Sequence, residues 1–134
     1  MGSTREESDP LTDAQTVLRE LQSAVDARDP AALISLFDDP AVLVGTGGDG
    51  RNREALRRYL TAVATQPESL RWEWNEVVPF HHGEGVLGFA GFGDVVVSDG
   101  SGERRAPIRV TILAVETPDG WRLREFHGSI ASDF

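Results

Sequence analysis

Apolar positions recur at two different periods along this chain, and the period changes near residue 67. In the first part Val17, Leu18, Leu21, Ala24 and Val25 fall at helical spacing, which predicts an amphipathic helix running to about Ala27. Thr12, with Gln15 three residues on, has the pattern of a capping box and sets the expected start. Asp29-Pro30 opens a second, short helix, with Asp29 as N-cap and Pro30 in the first turn. Its apolar residues are Leu33, Ile34, Leu36 and Phe37, and Asp38-Asp39-Pro40 ends it. Residues 41–45 read as a short strand and Gly45 to Gly50 as a glycine-rich loop. Asn52 caps a third helix carrying Leu56, Tyr59, Leu60 and Val63, closed by Pro67. Beyond it the period falls to two. Strands are expected over about 69–78, 84–92, 94–98, 104–116 and 121–130, with turns at Gly83-Glu84-Gly85, Ser98 to Gly102 and Pro118-Asp119-Gly120. Helices first and an antiparallel sheet after them predict the α+β class.

The last two strands hold the most specific pattern. On residues 108–115, Ile108, Val110, Ile112 and Ala114 point one way and Arg109, Thr111, Leu113 and Val115 the other. On residues 121–130, Trp121, Leu123, Glu125, His127 and Ser129 share a face at strict alternation. A hairpin turning at Asp119-Gly120 then brings Arg109 and Thr111 beside His127 and Ser129. Polar groups that face inward need partners or a ligand. These four are therefore expected on the concave side of the sheet, either as a buried network in which Glu125 pairs Arg109 or as a pocket wall that meets a ligand. The apolar stripe of Ile108 to Ala114, extended by Phe126 and Ile130, is expected on the outer face, where a second copy of the chain would cover it. Trp72 and Trp74 share one face of an earlier strand and fit either the pocket wall or a subunit contact.

Composition narrows the partners. The 134 residues make one ordinary domain, 40% apolar. Residues 1–11 read as a flexible tail and 12–134 as the folded domain. The net charge of −9 argues against nucleic acid and anionic membrane surfaces. No cysteine is present, which excludes disulfides and thiolate metal sites. All thirteen basic residues are Arg, so Schiff-base chemistry on lysine is excluded. No apolar run reaches the roughly 18 residues of a membrane span, and a cytoplasmic location is the default expectation. Gly45 to Gly50 lacks the Gly-Lys-Ser/Thr ending of a phosphate loop. His81 and His82 are adjacent, which on a strand would point them to opposite faces; an exposed loop pair is expected, and no metal site.

Arg109-Val110-Thr111, Gly120-Trp121 and His127-Gly128-Ser129, following three helices, resemble the nuclear transport factor 2-like superfamily and its SnoaL-like branch. The resemblance spans about residues 12–130. It implies a cone-shaped α+β barrel, three N-terminal helices packed on a strongly bent antiparallel sheet, with a cavity inside and dimerisation through the outer sheet face. Steroid-isomerase-like members place a carboxylate base in the strand after helix two; residues 41–45 here carry no acid. Epoxide-hydrolase-like members need an Asp-Arg-Asp set, of which only Arg109 has a counterpart. The expectation is a homodimeric protein whose polar-ended cavity takes a small organic acid or carbonyl compound. Arg109, Thr111, His127, Ser129, Trp72 and Trp74 are the ligand-binding candidates, and no cofactor is implied. The alternatives are an isomerase, cyclase or hydrolase using His127 as acid/base with Glu125 as its orienter, and a non-catalytic dimerisation domain.

Overall fold

The computed structural model describes residues 9–131. Among them are three helices, α1 (Pro10–Asp26), α2 (Pro30–Ser35) and α3 (Arg53–Thr65), and six strands: β1 (Phe37–Val44), β2 (Asp49–Gly50), β3 (Ser69–Gly83), β4 (Val86–Ser98), β5 (Glu103–Thr117) and β6 (Gly120–Ile130). The strands form one open sheet in the order β2-β1-β6-β5-β4-β3. Pairing is antiparallel except between β1 and β6, which run parallel. The sheet is thus mixed, and it is unclosed because its edge strands β2 and β3 do not pair. No helix among the described residues is long and apolar enough to cross a membrane.

The helix starts follow cap chemistry. Asp9 holds an extended backbone and its carboxylate accepts from the Thr12 N–H at 3.1 Å. Pro10 sits at the first helical position, where a missing N–H costs nothing. The cap is therefore Asp9 and not the expected Thr12, whose hydroxyl donates to Asp9 instead. The expected tail falls outside the described residues for 1–8, while Pro10 and Leu11 belong to α1. Asp29 and Asn52 cap α2 and α3 as read, accepting from Ala32 and Ala55 N–H. Helix α2 stops at Ser35, earlier than expected. Phe37 leaves it to open β1 opposite Leu123, and the Leu36 carbonyl accepts from Leu123 N–H at 2.8 Å. Residues 84–92 and 94–98 are one strand rather than two, because Gly93 pairs with Ile108 of β5 in unbroken register and with Trp74 of β3 beside a bulge at Asn75.

The core lies between the helices and one face of the sheet. Leu87 and Phe89 of β4, Ile112 and Ala114 of β5, and Leu56 of α3 are each fully buried. Burying a side chain of the Leu or Phe kind is worth about 1.5–3 kcal/mol, so this face decides which way β5 points. Ile108, Val110, Ile112 and Ala114 face the helices. They are core, not the outer dimer stripe that alternation alone suggested. The β3 edge is closed in part by α1: the Gln22 amide donates to the Leu70 carbonyl at 3.0 Å and accepts from Trp72 N–H at 2.9 Å. One side chain thus takes the place of a neighbouring strand on an edge that would otherwise invite pairing.

Candidate functional site

The helices and the inner sheet face line a half-open cavity of about 90 Å³. Leu21 and Val25 of α1, Leu60 and Val63 of α3, and Ile108 and Phe126 of the sheet form its apolar walls. No Asp, Glu, Arg or His lines it among the described residues. Its polar side chains are Thr46, Tyr59 and the indole of Trp72.

Tyr59 is the group whose position is most tightly set. It rises from α3, on the stripe that buries Leu56 and Leu60, toward the loop that follows β1. A Cβ on Gly45 would stand only 1.9 Å from the Tyr59 hydroxyl oxygen, and one on Gly48 would stand 3.3 Å from its ring. The loop closes through Gly45 N–H donating to the Gly48 carbonyl at 2.8 Å. A weak polar contact from the Gly47 backbone favours the phenolate. Burial acts the other way and more strongly, raising the phenol above its ordinary value near 10. Tyr59 is therefore a neutral hydroxyl at physiological pH. The sequence places it among the apolar residues of helix three, rather than on the first helix as the steroid-isomerase-like pattern requires. The signal available was the lone tyrosine of the chain beside an unbroken apolar stripe, downstream of four glycines within six residues.

The four residues expected in the pocket do come together, on the other side. Thr111 pairs with His127 and Arg109 with Ser129 across β5 and β6. With Ala90 and Phe92 they border a shallow concavity of about 250 Å³ on the outer face. Arg109, Thr111 and His127 are exposed there and Ser129 is half-buried. The expected concave orientation is thus reversed, for two physical reasons. The opposite parity of β5 is wholly aliphatic and takes the core. In β6 the register slips, with Ala114 opposite Leu123 but Leu113 opposite Glu125, leaving Arg124 as a bulged extra residue. Leu123 faces in, and after the bulge Phe126 and Gly128 do, so Glu125, His127 and Ser129 face out. Glu125 stands across from Leu113 rather than pairing Arg109. Arg109 donates to the Ser129 hydroxyl at 3.4 Å. The bulged Arg124 reaches Asp38 of β1, with Nη2 to Oδ2 at 2.7 Å and Nε to the same oxygen at 3.1 Å. That hydrogen bond is the main reason the Asp38 carboxyl titrates below its ordinary range.

Trp72 and Trp74 face the helix side, with ring centroids 6.5 Å apart and planes 17° from parallel. Trp72 borders the inner cavity, and both line an open groove of about 650 Å³ between α1 and β3, with Gln15 and Arg19 opposite. His81 and His82 lie in β3, not in a loop. His82 Nε2 is 3.3 Å from Asp13 Oδ2 of α1, a weak link between the helix and the strand. No group of three or more metal-ligating side chains occurs among the described residues.

The family model of the SnoaL-like domain matches residues 18–125. The chain belongs to the SnoaL-like family, on the nuclear transport factor 2-like fold. A Streptomyces avermitilis protein of the NTF2-like family, provisionally named a dehydratase, superposes with a TM-score of 0.80 at 17% identity, covering 91% of this chain and 96% of that one. A Xanthomonas campestris protein provisionally named a calcium/calmodulin-dependent protein kinase II association domain superposes at 0.80 and 14% identity over 100% of both chains. A Novosphingobium aromaticivorans protein provisionally named an aromatic ring hydroxylase gives 0.77 at 14%, covering 94% of each. At such identities the likeness shows the fold alone, and the three names point to three different activities. No curated protein matches the chain by sequence.

Proposed function

We propose that this SnoaL-like protein binds a small, largely apolar, neutral molecule in its inner cavity, a carbonyl compound rather than an organic acid. The observation that carries this reading is the lining: aliphatic and aromatic walls, one polar end, and no charged side chain. A concave, mostly apolar pocket with a few placed polar groups is the usual form of a small-molecule site. A carboxylate taken into it would lose its hydration with no cation to receive it, at a cost of several kcal/mol. A ketone or aldehyde carries no such penalty. An anion would meet Arg109 only on the outer face. For the same reason the reading as an isomerase, cyclase or hydrolase driven by His127 and Glu125 would need its substrate on that outer face, away from the inner cavity.

Titration of the labelled protein with a panel of small neutral ketones and matched carboxylates, followed by amide and methyl chemical shifts, tests the proposal. Ketones should shift the resonances of Val63, Ile108 and Phe126 and carboxylates should not. Shifts confined to Arg109, Thr111 and His127, or none at all, would overturn it. A second reading, assembly, is favoured by one specific observation. Val78, Phe80 and Phe92 are 40%, 61% and 40% exposed. All three lie on the outer face, where Phe80 covers Gly88, and a second copy of the chain would cover them.

A further inference from the structure

The cavity needs one more element to discriminate among ligands, and the structure places one at its polar end. Tyr59 is held from two sides. Its oxygen rests where a side chain on Gly45 would otherwise be, at 1.9 Å from the position of that missing Cβ. Its ring lies against Gly48 at 3.3 Å from the corresponding point. A phenol has one proton to give and accepts through its oxygen. Burial keeps that proton on the oxygen, and Tyr59 is itself a lining residue of the cavity.

We propose that Tyr59 is the specificity-determining donor of this site, a hydrogen-bond subsite that selects ligands bearing one uncharged acceptor, a ketone or aldehyde oxygen, and that the Gly45–Gly48 loop exists to hold it there. The subsite rests on the cavity reading above. Competing donors are fewer than the lining suggests. Thr46 is exposed on the loop. A hydroxyl held among apolar walls keeps its desolvation cost when a guest fails to pair with it, so an acceptor is favoured over a hydrocarbon of equal shape. Cavity size limits the class further. About 90 Å³ is well under the ~150 Å³ of an apolar cavity that takes benzene, which limits the class to a ketone or aldehyde of a few carbons.

The test compares acetone with isobutene, which replaces the oxygen by a methylene at the same position, against wild type, Tyr59→Phe, Gly45→Ala and Gly83→Ala. Affinities come from chemical-shift titration, and each variant is first melted to establish that it folds. Wild type should bind the ketone about fivefold more tightly than the alkene, the scale of one neutral hydrogen bond. Tyr59→Phe should abolish that preference while leaving alkene binding unchanged. Gly45→Ala keeps the phenol but drives its oxygen off the loop, and should lose the preference as well. This second variant keeps the idea testable if Tyr59→Phe unfolds. Gly83→Ala, where nothing lies within 4 Å of the added methyl, should keep the preference. Equal binding of the two probes to wild type, or a preference that survives in Tyr59→Phe, overturns the donor subsite while the cavity reading stands. Failure of both probes to bind removes the cavity reading and the subsite with it.

Discussion

Gly93 offers the sharpest test of how the sheet is built. It lies in β4, opposite Trp74 on β3 and Ile108 on β5. A methyl group there would stand 2.0 Å from the Glu73 carbonyl oxygen and 2.9 Å from both the Glu73 carbonyl carbon and Trp74 Cα. All three are backbone atoms, so no rotamer change relieves the clash. The oxygen contact is about 1.4 Å short of the 3.4 Å at which ordinary contact begins. In Gly93→Ala the two strands must therefore part. Separation by that distance breaks one or two ladder hydrogen bonds, each worth about 0.5–1.5 kcal/mol net. Overpacking adds about 1–3 kcal/mol. The expected loss is about 3 kcal/mol, or a fall in Tm of roughly 10 °C for a domain of this length. Urea unfolding followed by tryptophan fluorescence reads this directly, since Trp74 adjoins the site. Gly83→Ala is the control: nothing lies within 4 Å of its added methyl, and it should be neutral or slightly stabilising. If Gly93→Ala unfolds within about 0.5 kcal/mol of wild type, the tight approach of β3 and β4 is not what demands glycine there.

Two further outcomes follow. The Asp38 carboxyl is held below its ordinary range, chiefly by the hydrogen bond from Arg124. A group with a depressed folded pKa adds stability above its unfolded value near 3.9, and that contribution is lost as pH falls through the folded one. Asp38→Asn should therefore be less stable than wild type at pH 6, by under about 1 kcal/mol because the pair is partly exposed. The gap should shrink in denaturation curves as the pH falls below the unfolded value and through the lowered folded one, and a gap constant with pH would refute the cause. For assembly, the exposed Val78, Phe80 and Phe92 lead us to expect a homodimer by light scattering at micromolar concentration, shifted toward monomer by Phe80→Glu; a clean wild-type monomer would refute it.

Much of the architecture was legible because it is written locally. The 3.6-residue stripes of α1 and α3, the Asp-Pro start of α2, and the period-two runs with their glycine turns each depend on residues near one another in the chain. So does the juxtaposition of Arg109 with Ser129 and Thr111 with His127, which follows once the hairpin turn is placed. The family resemblance rested on those same residues. What local pattern could not decide was which side of the sheet the helices would cover. Alternation is symmetric: it sorts a strand into two faces without naming the inner one. Tertiary burial broke the symmetry in favour of Ile108, Val110, Ile112 and Ala114, and the bulge at Arg124 moved Glu125, His127 and Ser129 to the face opposite Leu123. A one-residue slip inverts every side chain after it, and it came from matching β6 to β1 as well as to β5, a constraint between segments some eighty residues apart. Tyr59 was hidden for a related reason. Its helical position reads as core, and only the packing of α3 under the Gly45–Gly48 loop turns a buried aromatic into the polar end of a cavity.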